Sequence, residues 1–188
     1  RYEIGGGDTL HKKYKKYDNE LINYGNPVLI DEGLFKNGKK EGLHKRYNNF
    51  FKPIGSLYRT ENYKDGKLHG EKKSYLVNGY LRELTTYKDG KRHGVYRKYY
   101  VDRPKKPYHS QRYAQSWNRG PLEVEGYYRY GEKSGTWREY HPFQKFGFYR
   151  QDLDSLKKWY SGEELEVKIR RYERGRRKSI WKEPYIKP

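Results

Sequence analysis

The sequence predicts an all-β protein, an elongated antiparallel β-meander of repeated hairpins. Three observations predict it. Tyrosine is in large excess, 23 residues with four tryptophans in a chain of 188. The aromatics recur in step with glycines at a 24-residue period. Turn dipeptides that favour positive φ punctuate the chain too often for a long helix to fit between them.

Composition alone points the other way. The chain carries 43 Lys and Arg against 24 Asp and Glu, a net charge of +19, and only 33 Leu, Ile, Val and Phe together. Few aliphatics with high net charge is the pattern of a chain that cannot bury enough apolar surface to fold. An aromatic side chain buries about 150–250 Å², so tyrosines placed in order supply the missing area. With no cysteine, a disulfide framework, a thiolate metal site and a cysteine nucleophile are excluded. No stretch approaches the ~18 apolar residues of a membrane-spanning helix.

Residues 63–75, YKDGKLHGEKKSY, repeat at 87–99 as YKDGKRHGVYRKY. The shared skeleton is an aromatic, a glycine three later, a second glycine four after that, and an aromatic five further on. Along the chain, residues 1–34 hold a degenerate copy that caps the array, Tyr2/Gly5/Thr9/Tyr14. The core, 35–99, holds Phe35/Gly38/Gly42/Tyr47, Tyr63/Gly66/Gly70/Tyr75 and Tyr87/Gly90/Gly94/Tyr99. Residues 100–127 interrupt the period as a basic, proline-containing insertion. Residues 128–188 resume it with Tyr128/Gly131/Gly135/Tyr140, then degenerate copies at Phe148/Gln151/Ser155/Tyr160 and Tyr172/Gly175/Ser179, and end in a basic tail.

Turn chemistry turns this skeleton into strands. Asn37-Gly38, Asp65-Gly66 and Asp89-Gly90 suit hairpin turns with positive φ at both central residues. The second glycine fits re-entry to the next strand, where a side chain would crowd the backbone. Between copies, Asn78-Gly79 divides two β-rich runs, Tyr75 to Thr86. Each unit is then two strands of roughly eight residues with two turns, and equivalent tyrosines lie roughly 10 Å apart along the sheet. Aromatic and β-branched side chains are expected on one face and charge on the other. Helix competes only at 152–159, where the repeat favours a strand.

The units Tyr63-Lys-Asp-Gly66-Lys-Leu-His-Gly70 and Tyr87-Lys-Asp-Gly90-Lys-Arg-His-Gly94, with Gly94-Val-Tyr96 and Gly135-Thr-Trp137, resemble the MORN repeat. The resemblance is to the variant form common in bacterial multi-repeat proteins, some described as antitoxins of toxin–antitoxin pairs. It covers 35–99 and 128–140 and departs from the standard unit in lacking its Gly-x-Gly ending. It implies an extended single sheet used as a scaffold or adaptor, and it implies no reaction.

No residue set points to catalysis, a cofactor or a metal. His69 and His93 each precede the second glycine and belong to equivalent turns ~10 Å apart, too far for two ligands of one ion. His11, His44, His109 and His141 share no spacing and suit surface or packing roles. Gly5-Gly6-Gly7 lacks the Gly-Lys-Ser/Thr ending of a phosphate loop, and Glu163-Glu164 suits a solvated turn.

The basic excess is the functional signal. Arg103, Lys105, Lys106 and Arg112 fall in the insertion, and Arg170, Arg171, Arg174, Arg176, Arg177 and Lys178 fall near the end. These ten are the candidate partner-binding residues, since such patches attract acidic protein, RNA or anionic membrane by a salt-sensitive field. Of the tyrosines outside the repeat skeleton, Tyr80, Tyr108 and Tyr113 are the candidates for contact. The reading is a non-catalytic interaction scaffold, an accessory subunit of a larger complex, with no small-molecule substrate. The alternatives are an RNA-binding component of a ribonucleoprotein and an acidic-lipid adaptor or antitoxin-like binder. The basicity, and the start at Arg1-Tyr2 without methionine, fit a processed component of an organellar or exported assembly.

Overall fold

In a computed structural model the described residues are 2–4, 11–23, 26–49, 54–102, 118–142 and 165–184. They form one twelve-stranded antiparallel sheet whose spatial order is the chain order. The strands are β1 (Tyr2–Ile4), β2 (His11–Asn23), β3 (Asn26–Lys36), β4 (Lys39–Tyr47), β5 (Leu57–Lys64), β6 (Lys67–Tyr75), β7 (Leu81–Lys88), β8 (Lys91–Asp102), β9 (Asn118–Arg129), β10 (Glu132–Pro142), β11 (Leu165–Glu173) and β12 (Arg176–Pro184). The described residues contain no helix. The meander expected from the sequence is therefore the fold. Strand pairing takes in 100–102 and 118–127 of the insertion. Gly5, Thr9, the copy at 148–160 and the helix-competent window at 152–159 lie outside the described residues, as do Gly6, Gly7, His109, Glu163 and Glu164.

The first glycine of each copy closes a tight turn. Asn37, Asp65, Asp89, Tyr130 and Arg174 have φ of 51°, 50°, 52°, 51° and 46°, each followed by a glycine of positive φ. Positive φ at both central residues is the turn that matches the twist of the flanking strands. The turns also hold one another. The amides of Gly66, Gly90, Gly131 and Gly175 donate to the carbonyls of Lys40, Leu68, Arg92 and Lys133, each in the hairpin before, at 2.8–3.1 Å.

The second glycine has a different reason from the one expected. It lies inside a strand, at a bulge. Glu32 pairs with Lys45 and Leu34 with Glu41, so Gly33 alone faces Gly42, Leu43 and His44. The same offset recurs between β5 and β6, β7 and β8, and β9 and β10. Gly42, Gly70, Gly94 and Gly135 have φ of 66°, 96°, 108° and 67°. At Gly42 and Gly135 an added Cβ would meet nothing within 4 Å, so backbone conformation demands glycine there, while crowding adds to it only at Gly94, against Thr86.

A second correction concerns the faces. Tyr63, Glu61 and Arg59 pair with Gly42, His44 and Arg46, and strand alternation puts them on one face. Thr60 pairs with Lys45 on the other, where Tyr47, two residues beyond Lys45, hydrogen-bonds Glu32. The leading aromatics Phe35, Tyr63, Tyr87 and Tyr128 thus share a first face. The trailing aromatics Tyr47, Tyr75, Tyr99 and Tyr140 share the second. Charge accompanies both sets.

Candidate interaction surface

The first face is held by rings and compensated charge. Among the described residues its most buried side chains are Trp137 and His44, each 1% exposed. Both stand two residues after a second glycine, and both lie over a glycine of the preceding strand. A Cβ at Gly33 would overlap the His44 ring, and one at Gly126 would overlap the Trp137 indole. Trp137 stacks on Tyr96 at 5.5 Å and meets Tyr128 edge-on at 4.9 Å and Tyr172 at 6.2 Å. Its indole N–H donates to the Tyr127 carbonyl at 3.1 Å. His44 packs among Tyr14, Phe35 and Tyr63.

His44 is wired as well as packed. Its Nε2 lies 2.9 Å from the Leu34 carbonyl, and its Nδ1 lies 3.1 Å from the Tyr14 hydroxyl. Because a carbonyl only accepts, Nε2 carries the proton. Tyr14 also donates to Asp31 at 2.9 Å, so one phenolic proton serves two acceptors when His44 is neutral. Burial, reinforced by the Lys40 charge, lowers the His44 pKa below the ordinary histidine value.

Between these nests sits Glu61, 4% exposed. Lys72 lies 3.1 Å away, Arg46 and Arg59 each 3.7 Å, and the Tyr63 hydroxyl donates to it at 3.1 Å. Burial pushes its carboxyl up, but the Lys72 hydrogen bond and the surrounding cations outweigh it and hold the group below the usual range. Burial and Glu61 together push the Tyr63 phenol up to about 12. On the second face, Glu32 with Lys45 and Tyr47 recurs as Glu125 with Arg138 and Tyr140. The Tyr47 hydrogen bond holds the Glu32 carboxyl low.

The sixteen repeat residues expected to be structural are placed as the turns, bulges and ring columns just described. The basic candidates fare differently. Arg103, Lys105, Lys106 and Arg112, with Tyr108 and Tyr113, lie outside the described residues. Arg170, Arg171, Arg174, Arg176, Arg177 and Lys178 all fall on the β11–β12 hairpin, yet they do not form one patch. Arg170 shares the first face with Trp137 and pairs with Glu139. Arg176 pairs across the strands with Glu173 on the opposite face, and Arg177 lies opposite Tyr172. Arg174 occupies the turn, and Lys178 reaches Glu173 at 3.4 Å.

His69 and His93 lie within β6 and β8, beside their bulges, and reach the next hairpin's turn. His69 meets the Asp89 carboxylate at 3.3 Å, and the Tyr130 amide approaches His93 Nδ1 at 3.5 Å. Sequence reasoning left His44 between a surface and a packing role, and the structure buries it. Its position two after Gly42, equivalent to Trp137 after Gly135, is the signal that could have found it. Among the described residues no group of three or more His, Asp or Glu is arranged to hold a metal ion. No protein-family model, curated protein or solved structure matches this chain.

Proposed function

We propose that the protein is a non-catalytic interaction scaffold of MORN-like variant units, an accessory subunit that presents a ruled sheet to a larger partner. The observation that carries this reading is that every described strand lies in one sheet, which leaves large apolar side chains uncovered. Leu43, Tyr58, Tyr80, Val95, Ile180 and Trp181 are all exposed. An open sheet with exposed apolar groups on both faces offers area for a partner to cover. The turn-to-turn hydrogen bonds support the same reading, since they hold successive hairpins at fixed spacing.

The test is native purification of the full chain from its source, followed by mass analysis, in parallel with Gly90→Val. Valine at that positive-φ turn costs about 1–2 kcal/mol or more. The expected result is a defined complex with the wild-type chain and its loss with Gly90→Val. A chain that runs alone at native concentration, or a Gly90→Val variant that keeps both its melting temperature and its partner, overturns the reading.

A further inference from the structure

The second face carries an uncompensated row of lysines that the fold does not require. Lys36 pairs with Lys39 across the first repeat turn, Lys64 with Lys67 across the next, and Lys88 with Lys91 across the third. Directly opposed like charges destabilise a sheet. The two later hairpins put opposite charges at the same place, Arg129 against Glu132 and Glu173 against Arg176. The six lysines are all exposed, and none forms an ion pair among the described residues. Lys39 lies against Gly66 and Lys67 against Gly90, so the row runs on from hairpin to hairpin. At ~4.8 Å per strand it is about 24 Å long. Nearby carboxylates do not cancel it: Asp65, Asp89 and Glu41 stand against six cations, and Asp89 is already engaged by His69.

The row leads into an exposed aromatic cluster on the same face. His93 contacts Tyr130 at 4.8 Å and Tyr127 at 6.1 Å, centroid to centroid. Tyr130 is 57% exposed and Tyr127 43%. Tyr130 also stands where the three preceding hairpins use Asn37, Asp65 and Asp89, at φ 51°. A bulky residue held at positive φ is strained, and such strain concentrates at functional sites.

We infer that the turn edge of β3–β8, closed by the Tyr127–His93–Tyr130 cluster, binds single-stranded nucleic acid. The six lysines track its phosphates and the rings stack its bases. Charge alone would suit any polyanion, but exposed rings at the end of a cationic track suit a strand with bases to stack. None of its residues belongs to the basic stretches at 103–112 and 170–178. It rests on the reading of the sheet as a binding scaffold and deepens it by naming one surface and its ligand.

The test is fluorescence anisotropy of the full chain with a labelled oligodeoxythymidine of about twelve nucleotides, within the site sizes of single-strand binders. An abasic strand of the same phosphate count serves as control. Six phosphate contacts predict a log–log salt slope of about −4, and Lys64→Gln/Lys67→Gln/Lys88→Gln/Lys91→Gln should make it shallower by about 3. Tyr130→Asn, which relieves the turn, should weaken oligonucleotide binding about tenfold while leaving the abasic strand unaffected. An unchanged slope in the lysine variant overturns the inference. So does an abasic strand bound as tightly as the base-bearing one, or binding to anionic vesicles with none to the oligonucleotide. A protein complex that copurifies equally with the wild type and the lysine variant, with no oligonucleotide binding by either, overturns this inference alone and leaves the scaffold standing.

Discussion

The nest around His44 and the nest around Trp137 are the same construction built with different chemistry. In each, a glycine two residues before a leading aromatic, Gly33 or Gly126, clears the space that a ring two residues after the bulge glycine fills. Around Trp137 the neighbours are Tyr96, Tyr128 and Tyr172, and one N–H needs an acceptor. Around His44 a relay of four groups, from the Leu34 carbonyl to Asp31, replaces part of that stacking. The two central hairpins put Glu61 and Thr85 where the glycines stand, paired across the strands with Lys72 and Tyr96. The sheet is therefore held at two ring-over-glycine points, one apolar and one titratable, with an ion-paired stretch between.

The largest test of that comparison is Trp137→Ala. Emptying a site 1% exposed should cost about 3–5 kcal/mol, read by denaturant unfolding followed through tyrosine and remaining tryptophan fluorescence. A loss under about 1 kcal/mol would mean that the indole does not anchor its end of the sheet. Next come Gly126→Ala and Gly33→Ala, where the new methyl group overlaps a buried ring and overpacking costs about 1–3 kcal/mol. Gly135→Ala meets open space and should lose only the backbone penalty of about 1–2 kcal/mol. Equal losses at Gly126 and Gly135 would remove the ring-over-glycine account.

Acid separates the nests by chemistry. The native His44 pKa is lowered by burial, so the unfolded chain binds the proton first. His44's contribution is complete above the unfolded value of about 6.5 and is lost as pH falls toward the depressed native value. The melting temperature should therefore drop as pH falls below about 6.5, and His44→Phe should flatten that drop. Glu61 and Glu32, held low in the native state, contribute above about pH 4.3 and lose that contribution only as pH falls through their native values. The His44 loss therefore sets in at higher pH than the carboxylate losses.

The smallest effect is a gain. Tyr130 and Arg174 occupy turn positions with φ of 51° and 46°, where asparagine is better tolerated. Tyr130→Asn and Arg174→Asn should each raise stability by about 0.5–1 kcal/mol, measured by thermal melting. A gain at Arg174 with a loss at Tyr130 would show that the Tyr130 ring packs on His93 strongly enough to hold its turn.

The period, the turn dipeptides and the single meander were legible because each rests on local chemistry, aspartate or asparagine before glycine at fixed spacing. The face of each aromatic was legible in principle and was missed. Phe35 pairs with Lys40 across a two-residue turn, and Tyr47 is seven residues beyond Lys40, an odd number that puts it on the opposite face. The bulge at the second glycine was hidden because it adds residues without changing that parity. The lysine row was hidden for another reason. Lysine beside a turn is ordinary in one hairpin, and only the pairing of three successive hairpins reveals six aligned cations.

The turn amides that reach back to the preceding hairpin make the length of this protein adjustable. Each repeat turn from Asp65-Gly66 to Arg174-Gly175 takes an acceptor from the hairpin before it. Removing residues 67–90 would join Gly66 to Lys91, leave Gly66 bonded to Lys40, and still offer the Arg92 carbonyl to Gly131. Contacts stay between neighbours, as in other one-dimensional arrays. A gene encoding such a sheet can gain or lose whole hairpins by recombination while keeping contacts between neighbours, and both the reach of the sheet and the length of its lysine row change with each hairpin.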